Sequence, residues 1–341
     1  MPIKIEHHSF NLRFRYPFTI SRGTKTHQPT FIVSLEMLGE KGYGEAPAIT
    51  YYHIPVEKMA ADLEAKRSVI EKFAFTEPER FWHFLHHLIP DNAFLVCALD
   101  MAAWDLYGKL KKKPLYQLWG LEWKNTPLTD YTIGIDSIDK MVEKMKATPW
   151  PIYKIKLGTD HDADIMRELR KHTDAVLRVD ANSGWTLEQA LGLLPALAEC
   201  GVELVEQPLD KQNIEGMKVL FEKSPIPLVA DESCVFESDV EKCHGSFHGI
   251  NIKLTKCGGL TPALRMVKTA RKLGMKVMAG GMNESTIGSA AVGHLLPLLD
   301  YVDMDGILLL DEDIATGITI EDGKVTLSGR PGLGITYTGL R

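Results

Sequence analysis

The sequence has no CxxC pair, and its five cysteines (Cys97, Cys200, Cys234, Cys243, Cys257) are an odd number spread over 341 residues. Reduced thiols in a cytoplasmic protein are the simpler reading than a disulfide framework. No stretch reaches the roughly 18–20 uninterrupted apolar residues of a membrane-spanning helix. The opening MPIKIEHHSFNLRF has neither an apolar h-region nor a small-residue cleavage site, so no secretory signal is expected. Excess charge of one sign is also missing: 39 Lys and Arg face 45 Asp and Glu, a formal net charge of −6. Nothing there would draw in nucleic acid or an anionic membrane. The chain lacks GxGxxG, GxxxxGK[ST] and GxSxG, which removes the usual signs of dinucleotide binding, phosphate loops and acyl-enzyme hydrolysis. What is present is ordinary for a folded soluble chain: 45% apolar and 25% charged residues. The length suggests two domains, or one large domain with an appendage.

Two textures follow one another. Residues 1–125 read as α+β: Phe31–Met37 alternates like a strand, Gly42-Tyr-Gly44 is expected to close an antiparallel hairpin, and Val56 to about Leu118 reads as helices. Within these, Ala93–Leu110 carries the apolar stripe of a core helix. After Thr126, short β-branched runs alternate with helical stretches. The expected strands are Asp130–Ile135, Tyr153–Leu157, Val176–Asp180, Val202–Glu206, Pro227–Asp231, Ile250–Leu254, Lys276–Gly280 and Tyr301–Ile307. A spacing of about 25 residues approaches the roughly 30 per unit of a (β/α)₈ barrel. An open doubly wound sheet would need an early phosphate loop, which is absent. The barrel is therefore assigned to residues 126–318, and the tail 319–341 is expected to return to the first domain.

In such a barrel the chemistry lies at the C-terminal ends of the strands. Asp180, Glu206 and Asp231 fall at three successive strand ends, 26 and 25 residues apart. Converging carboxylates repel unless a counter-charge sits among them. A hard divalent cation resolves the conflict, and an all-oxygen set favours Mg²⁺ over Zn²⁺. Three unrelated surface acids are the bland reading, and their being in step argues against it. Lys154 and Lys156, two apart on strand two, share a face, with Lys253 opposite them on strand six. Solvated lysines would be the default for any one of these, but the apolar neighbours Ile155, Leu157, Ile252 and Leu254 set the pleat and turn the lysines inward. Close to a cation and to one another, such amines are expected to lose a proton more readily and serve as bases. A metal with opposed lysines suits removal of the proton beside a carboxylate: racemisation or epimerisation if both lysines transfer protons, elimination or lactonisation if one does.

YKIKLG, RVDANSGW, VEQP, ADES and NIKLTKCGG occur in the order found in the enolase superfamily, and GYGEAP resembles its capping domain. The chain is identified as a member of the muconate-lactonizing subgroup, which carries KxK on strand two and a lysine on strand six. The resemblance implies an α+β cap over a modified (β/α)₇β barrel, Mg²⁺ on Asp180, Glu206 and Asp231, and Lys156 and Lys253 as bases. Glu232 and Asn182 would lie behind these ligands or touch substrate. The mandelate racemase branch, with a histidine after strand seven, is disfavoured, since Met278-Ala-Gly-Gly-Met-Asn283 has none.

Asp303-Met-Asp305 on strand eight resembles the DxD motif of dipeptide epimerases, where two carboxylates could hold a substrate ammonium. Muconate and o-succinylbenzoyl substrates have no ammonium and would be repelled. Asp311-Glu-Asp313 is read as a solvated loop. Thr132, Gly281 and Asn283 match substrate-lining positions of that family. Arg22 in PFTISRGTK could bind an acidic side chain, as could Lys25, or the segment is simply an exposed loop. The resemblance thus implies an Mg²⁺-dependent dipeptide epimerase acting as a homo-oligomer on a small molecule, with L-Ala-D/L-Glu in murein-peptide recycling the first expectation and a broader dipeptide range the second. The alternatives are an o-succinylbenzoate synthase or muconate cycloisomerase, and a ligand-binding barrel without chemistry. His83, His86 and His87 sit at helical spacing without a carboxylate or cysteine to complete a zinc site, and read as cap packing.

Overall fold

The computed structural model describes every residue except Met1, Ser21, Arg22 and Arg341. Arg22, the candidate for binding an acidic side chain, therefore lies outside the described residues. The first domain is a three-stranded antiparallel meander, β1 (Lys4–Ile20), β2 (Gly23–Met37) and β3 (Glu40–Pro47), followed by helices α1 (Val56–Glu71), α2 (Pro78–Leu88) and α3 (Ala93–Lys111). The β2–β3 turn is Leu38-Gly39, with Met37 paired to Glu40 and φ of 56° and 80°, the left-handed pair that a tight hairpin needs.

Gly42-Tyr-Gly44 does not close the hairpin, as the sequence suggested; it lies inside β3. A Cβ on Gly44 would fall inside contact of the Ala98 carbonyl, and one on Gly42 inside that of Ala102. The glycines let α3 lie directly on the sheet. Asn92 caps α3 by accepting from Leu95 N–H (3.0 Å), and nearly every α3 side chain is buried, between the meander on one side and the second domain on the other.

The second domain is an eight-stranded parallel sheet in sequential order: β4 (Tyr131–Ile133), β5 (Ile152–Lys156), β6 (Val176–Asp180), β7 (Val202–Glu206), β8 (Leu228–Ala230), β9 (Gly249–Ile252), β10 (Lys276–Gly280) and β11 (Tyr301–Asp303). Among the described residues a single bridge, Thr129 to Val302, joins the outer strands and nearly closes the barrel. Strand eight is shorter than expected. It ends at Asp303, and Asp305 instead precedes the helical turn Gly306–Leu309.

Alternation sorts the strand residues. Tyr153, Ile155, Leu177, Val179, Val205, Leu228, Ile250, Ile252 and Val277 belong to the core shared with the outer helices, whereas Leu204, Val229 and Met278 pack together as a separate small cluster inside the barrel, with Tyr301 against it. Arg178 stacks on Tyr301 (5.2 Å) and pairs with Asp130 (2.9 Å) and Glu203 (2.7 Å), plugging this lower end. Above the plug, β5, β6, β7 and β9 turn Lys154, Lys156, Asp180, Glu206 and Asn251 inward, and Gly280 on β10 leaves room for the Asn251 amide.

The C-terminal segment serves both domains. Thr129 N–H donates to Gly323 O (2.8 Å) at the barrel floor. Further on, Leu333 N–H donates to Asp105 of α3 (2.8 Å), and Tyr337 stacks on Tyr43 (4.8 Å). Among the described residues, no helix is long and apolar enough to cross a membrane.

Candidate active site

Parallel pairing puts Lys156, Asp180 and Glu206 level on β5, β6 and β7, and Lys154 level with Thr132 and Arg178. Residues paired in this way point to the same face, so the sequence alternation that sends Ile155 and Val179 outward sends these six inward. Lys253 follows β9, four strands from β5 in a ring of eight, and so stands on the opposite wall from Lys156.

The charges interlock. Lys154 Nζ lies 2.6 Å from Asp303, 2.7 Å from Glu206 and 3.2 Å from Asp180. Lys156 donates to Asp180 Oδ2 (2.7 Å) and Lys253 to Asp231 Oδ2 (2.8 Å). Two partners had no place in the sequence reading. Lys256 donates to Asp231 Oδ1 and O (both 2.6 Å), and Asn251 donates to Glu206 Oε1 (2.7 Å). Asn251 was within reach of sequence reasoning, because it stands two residues before Lys253 on the same strand face. Gln207, held at φ 34°, accepts from the N–H groups of Asp231 and Ser233 (both 3.0 Å) and so fixes the strand-five loop.

Burial dominates the titration of these groups and neighbouring charge decides its direction. For Glu206, burial and the adjacent Asp180 carboxylate raise the carboxyl to about 7. Asp180 and Asp231 are also penalised by burial, but Lys156 and Lys154 for the first, and Lys253 and Lys256 for the second, outweigh it and hold both below the usual carboxylate range. Burial works to lower Lys253 and Lys154, yet their carboxylate neighbours raise both. With no cation among the acids, these carboxylates favour the ammonium form of both amines.

The three acids fit a hard cation by chemistry and position: all are buried, all offer oxygen, and they end successive strands. Glu206 Oε2, although close to Lys154, accepts no hydrogen bond of good geometry and keeps a lone pair for a ligand. Among the described residues, however, no three His, Cys, Asp or Glu side chains stand gathered as a ready metal cluster, because lysine ammoniums lie between these acids.

Directly above lies a cavity of about 320 Å³. Of the sequence candidates, Thr132, Lys156, Asn182, Asp231, Glu232, Lys253, Gly281, Asn283, Asp303 and Asp305 line it; Lys154, Asp180 and Glu206 form the layer beneath. The cap closes it with Phe18, Lys25, Ile49, Tyr51 and Tyr52. Apart from Lys25, sequence reasoning missed these, since no spacing rule links a cap loop to a barrel mouth. Asp305 accepts from Thr132 N–H (2.6 Å), and burial with the nearby Asp303 raises its carboxyl to about 7.

The solvated loop expected for Asp311-Glu-Asp313 is found at Asp311, which is exposed, but Asp313 is half-buried and its carboxylate accepts from Thr286 N–H (3.2 Å) and Oγ1 (2.8 Å) at the start of the helix Thr286–Leu295. His86 stacks on Trp82 (4.8 Å) and His87 meets the His83 carbonyl (2.7 Å), which is packing within α2.

Comparison with known proteins agrees with this architecture. Residues 3–120 match the model described as "Mandelate racemase / muconate lactonizing enzyme, N-terminal domain", and residues 137–339 the model "Enolase C-terminal domain-like". The chain is 53% identical over 327 residues to an L-Ala-D/L-amino acid epimerase of Flavobacterium johnsoniae, covering 96% of this chain and 97% of that one. It is 37% identical to an L-Ala-D/L-Glu epimerase of Bacteroides thetaiotaomicron, covering 98% and 88%. A dipeptide epimerase from Cytophaga hutchinsonii, solved with Mg and the dipeptide D-Ala-L-Val, superimposes with a TM-score of 0.92 at 27% identity, over 99% of this chain and 96% of that chain. Two matched domains, a capped barrel and relatives aligned along nearly the whole length place this chain in the mandelate racemase/muconate lactonizing enzyme family of the enolase superfamily.

Proposed function

We propose that the protein is an Mg²⁺-dependent dipeptide epimerase that inverts the α-carbon of the C-terminal residue. The observation that carries this is the pair Lys156 and Lys253 on opposite walls of one cavity, with Asp303 and Asp305 at its edge. One lysine, as the free amine, takes the α-proton as the Cα–H bond breaks. The other, as the ammonium, delivers a proton to the opposite face, so the reaction needs no oxidant or co-reactant. Lys154 presents positive charge from beneath to the carboxylate, where negative charge develops. Asp180, Glu206 and Asp231 would hold the cation; bound there, Mg²⁺ supplies charge beside the substrate carboxylate and competes with the lysines for the same oxygens.

Asp303 and Asp305 suit a substrate α-ammonium and repel muconate or succinylbenzoate, which favours epimerisation over cycloisomerisation or elimination. Thr132, Asn182, Gly281 and Asn283 line the space left for the peptide, and Glu232 stands beside Asp231. The name of the 53% identical relative supports L-alanine first and a range of second residues over glutamate alone. The five cysteines are free and buried, in keeping with a reducing cytoplasmic setting.

The test is turnover of an L-Ala-L-Xaa library in D₂O with Mg²⁺, read by mass spectrometry. Epimerisation adds one deuterium at the C-terminal α-carbon of both epimers, whereas elimination loses the mass of water. Lys253→Ala should lower interconversion by roughly 10²–10⁴-fold while one-sided exchange through Lys156 persists. A Lys253→Ala enzyme that still interconverts the epimers rejects the two-base scheme.

A further inference from the structure

The barrel seam between β4 and β11 is its weakest join. The one bridge there, Thr129 to Val302, lies near the strand starts, and higher up Asp305 takes the Thr132 N–H in place of a strand partner. Outside this seam is a second cavity, of about 370 Å³. Phe18 and Thr132 belong to the walls of both cavities, so the two chambers share one partition. Phe14, Tyr131, Leu308 and Leu309 give the second chamber a largely apolar surface, which Arg15, Lys140, Glu143 and Lys144 also line; Phe18, stacked on Phe14 (5.6 Å), forms its inner lip. The side chain of Phe18 is partly exposed and it belongs to the cap strand, so the partition is a ring on a strand rather than a packed wall.

We propose that this outer chamber is a subsite for the side chain of the substrate's N-terminal residue, and that it admits large apolar or aromatic groups. The inference rests on the dipeptide reading above. An ammonium held by Asp303 and Asp305 sits at the inner edge of the seam, because Asp305 itself reaches across to Thr132. The N-terminal α-carbon is one bond from that ammonium, so its side chain starts beside Thr132 and Phe18. A methyl group stays in the inner cavity. A longer side chain passes Phe18 and exchanges water for the rings and leucines of the outer chamber.

The test compares kcat/KM for L-Ala-L-Xaa and L-Phe-L-Xaa with the same second residue, in the full-length enzyme with Mg²⁺. The wild type should turn over the L-Phe substrate within about tenfold of the L-Ala one. Ala147→Trp, at an exposed position on the rim of the outer chamber, should cut L-Phe turnover at least tenfold and leave L-Ala turnover unchanged. Phe18→Ala, which widens the passage, should shift the ratio toward L-Phe. No L-Phe turnover by an enzyme active on L-Ala, or equal effects of Ala147→Trp on both substrates, overturns the subsite. Inactivity on every L-Ala dipeptide would instead reject the epimerase reading on which it stands.

Discussion

Lys154 touches three carboxylates at once and lies wholly out of solvent, and that arrangement sets what each neighbour can do. A buried ammonium is tolerated only when paired, so removing one acid leaves it two. Asp303 can therefore be tested without orphaning the lysine. Asp303→Asn removes the charge proposed to meet the substrate ammonium while keeping shape and hydrogen-bonding capacity. A hydrogen bond to a charged group contributes about 1.5–3 kcal/mol, equivalent to roughly 10–100-fold. The variant should raise KM by that factor for free dipeptides. Discrimination against N-acetylated dipeptides, which carry no ammonium, should fall in parallel. Steady-state kinetics on the two substrate forms gives both numbers, and an unchanged preference removes the ammonium role from Asp303.

At the scale of elements, close approach of α3 to β3 controls how the cap is built. Gly44→Ala sets a methyl group against α3 backbone, which cannot rotate away, and should destabilise by at least about 2 kcal/mol, in the overpacking range. Gly192 lies in the helix Leu187–Glu199 with open space around it, so Gly192→Ala should stabilise by about 0.4–1 kcal/mol. Thermal midpoints moving in opposite directions would verify the pair; a harmless Gly44→Ala would contradict the packing account. The same contrast shows where sequence is legible. Runs such as Val176–Asp180, Val202–Glu206 and Lys276–Gly280 are strands in the structure as read, because burial on both faces leaves a mostly apolar run whose buried polar members face the barrel interior. Lys156, Asp180 and Glu206 could be found because the period of two carries them to one face. Gly42 and Gly44 were misread because a glycine serving a tertiary approach looks, in sequence, like one serving a turn. Lys256 was invisible for a similar reason. It is on the helical turn after β9, and its ion pair is with Asp231, 25 residues away.

For the molecule as a whole, the site exists only while cap and barrel stay joined, since the cap supplies Phe18, Lys25, Tyr51 and Tyr52 to the cavity. The join is made by buried polar contacts: Glu45 accepts from Ser285 Oγ (2.6 Å) and Gly288 N–H (2.9 Å), Asp100 accepts from Thr261 Oγ1 (2.7 Å), and Trp82 donates to Gly258 O (2.8 Å). His294 sits beside this join, buried on the helix Thr286–Leu295, stacked on Tyr116 (5.8 Å) and accepting that residue's N–H at Nδ1 (3.4 Å). Burial lowers its pKa from 6.5 to about 4, although a backbone hydrogen bond to Leu333 works the other way. Between those values the unfolded chain binds a proton that the folded chain does not, so this contribution to stability is complete above pH 6.5 and is lost as pH falls through 4. The full loss is about 3 kcal/mol. Buried acids such as Asp100 and Glu284, each raised to about 7 chiefly by burial, tilt the profile the opposite way, so the wild-type curve alone does not isolate the histidine. The difference between wild type and His294→Gln does. The wild type's advantage at pH 7 should shrink by up to that amount by pH 4, measured as thermal midpoints in matched buffers. A difference that stays constant across this range would mean that the imidazole is not a neutral group sealed between cap and barrel.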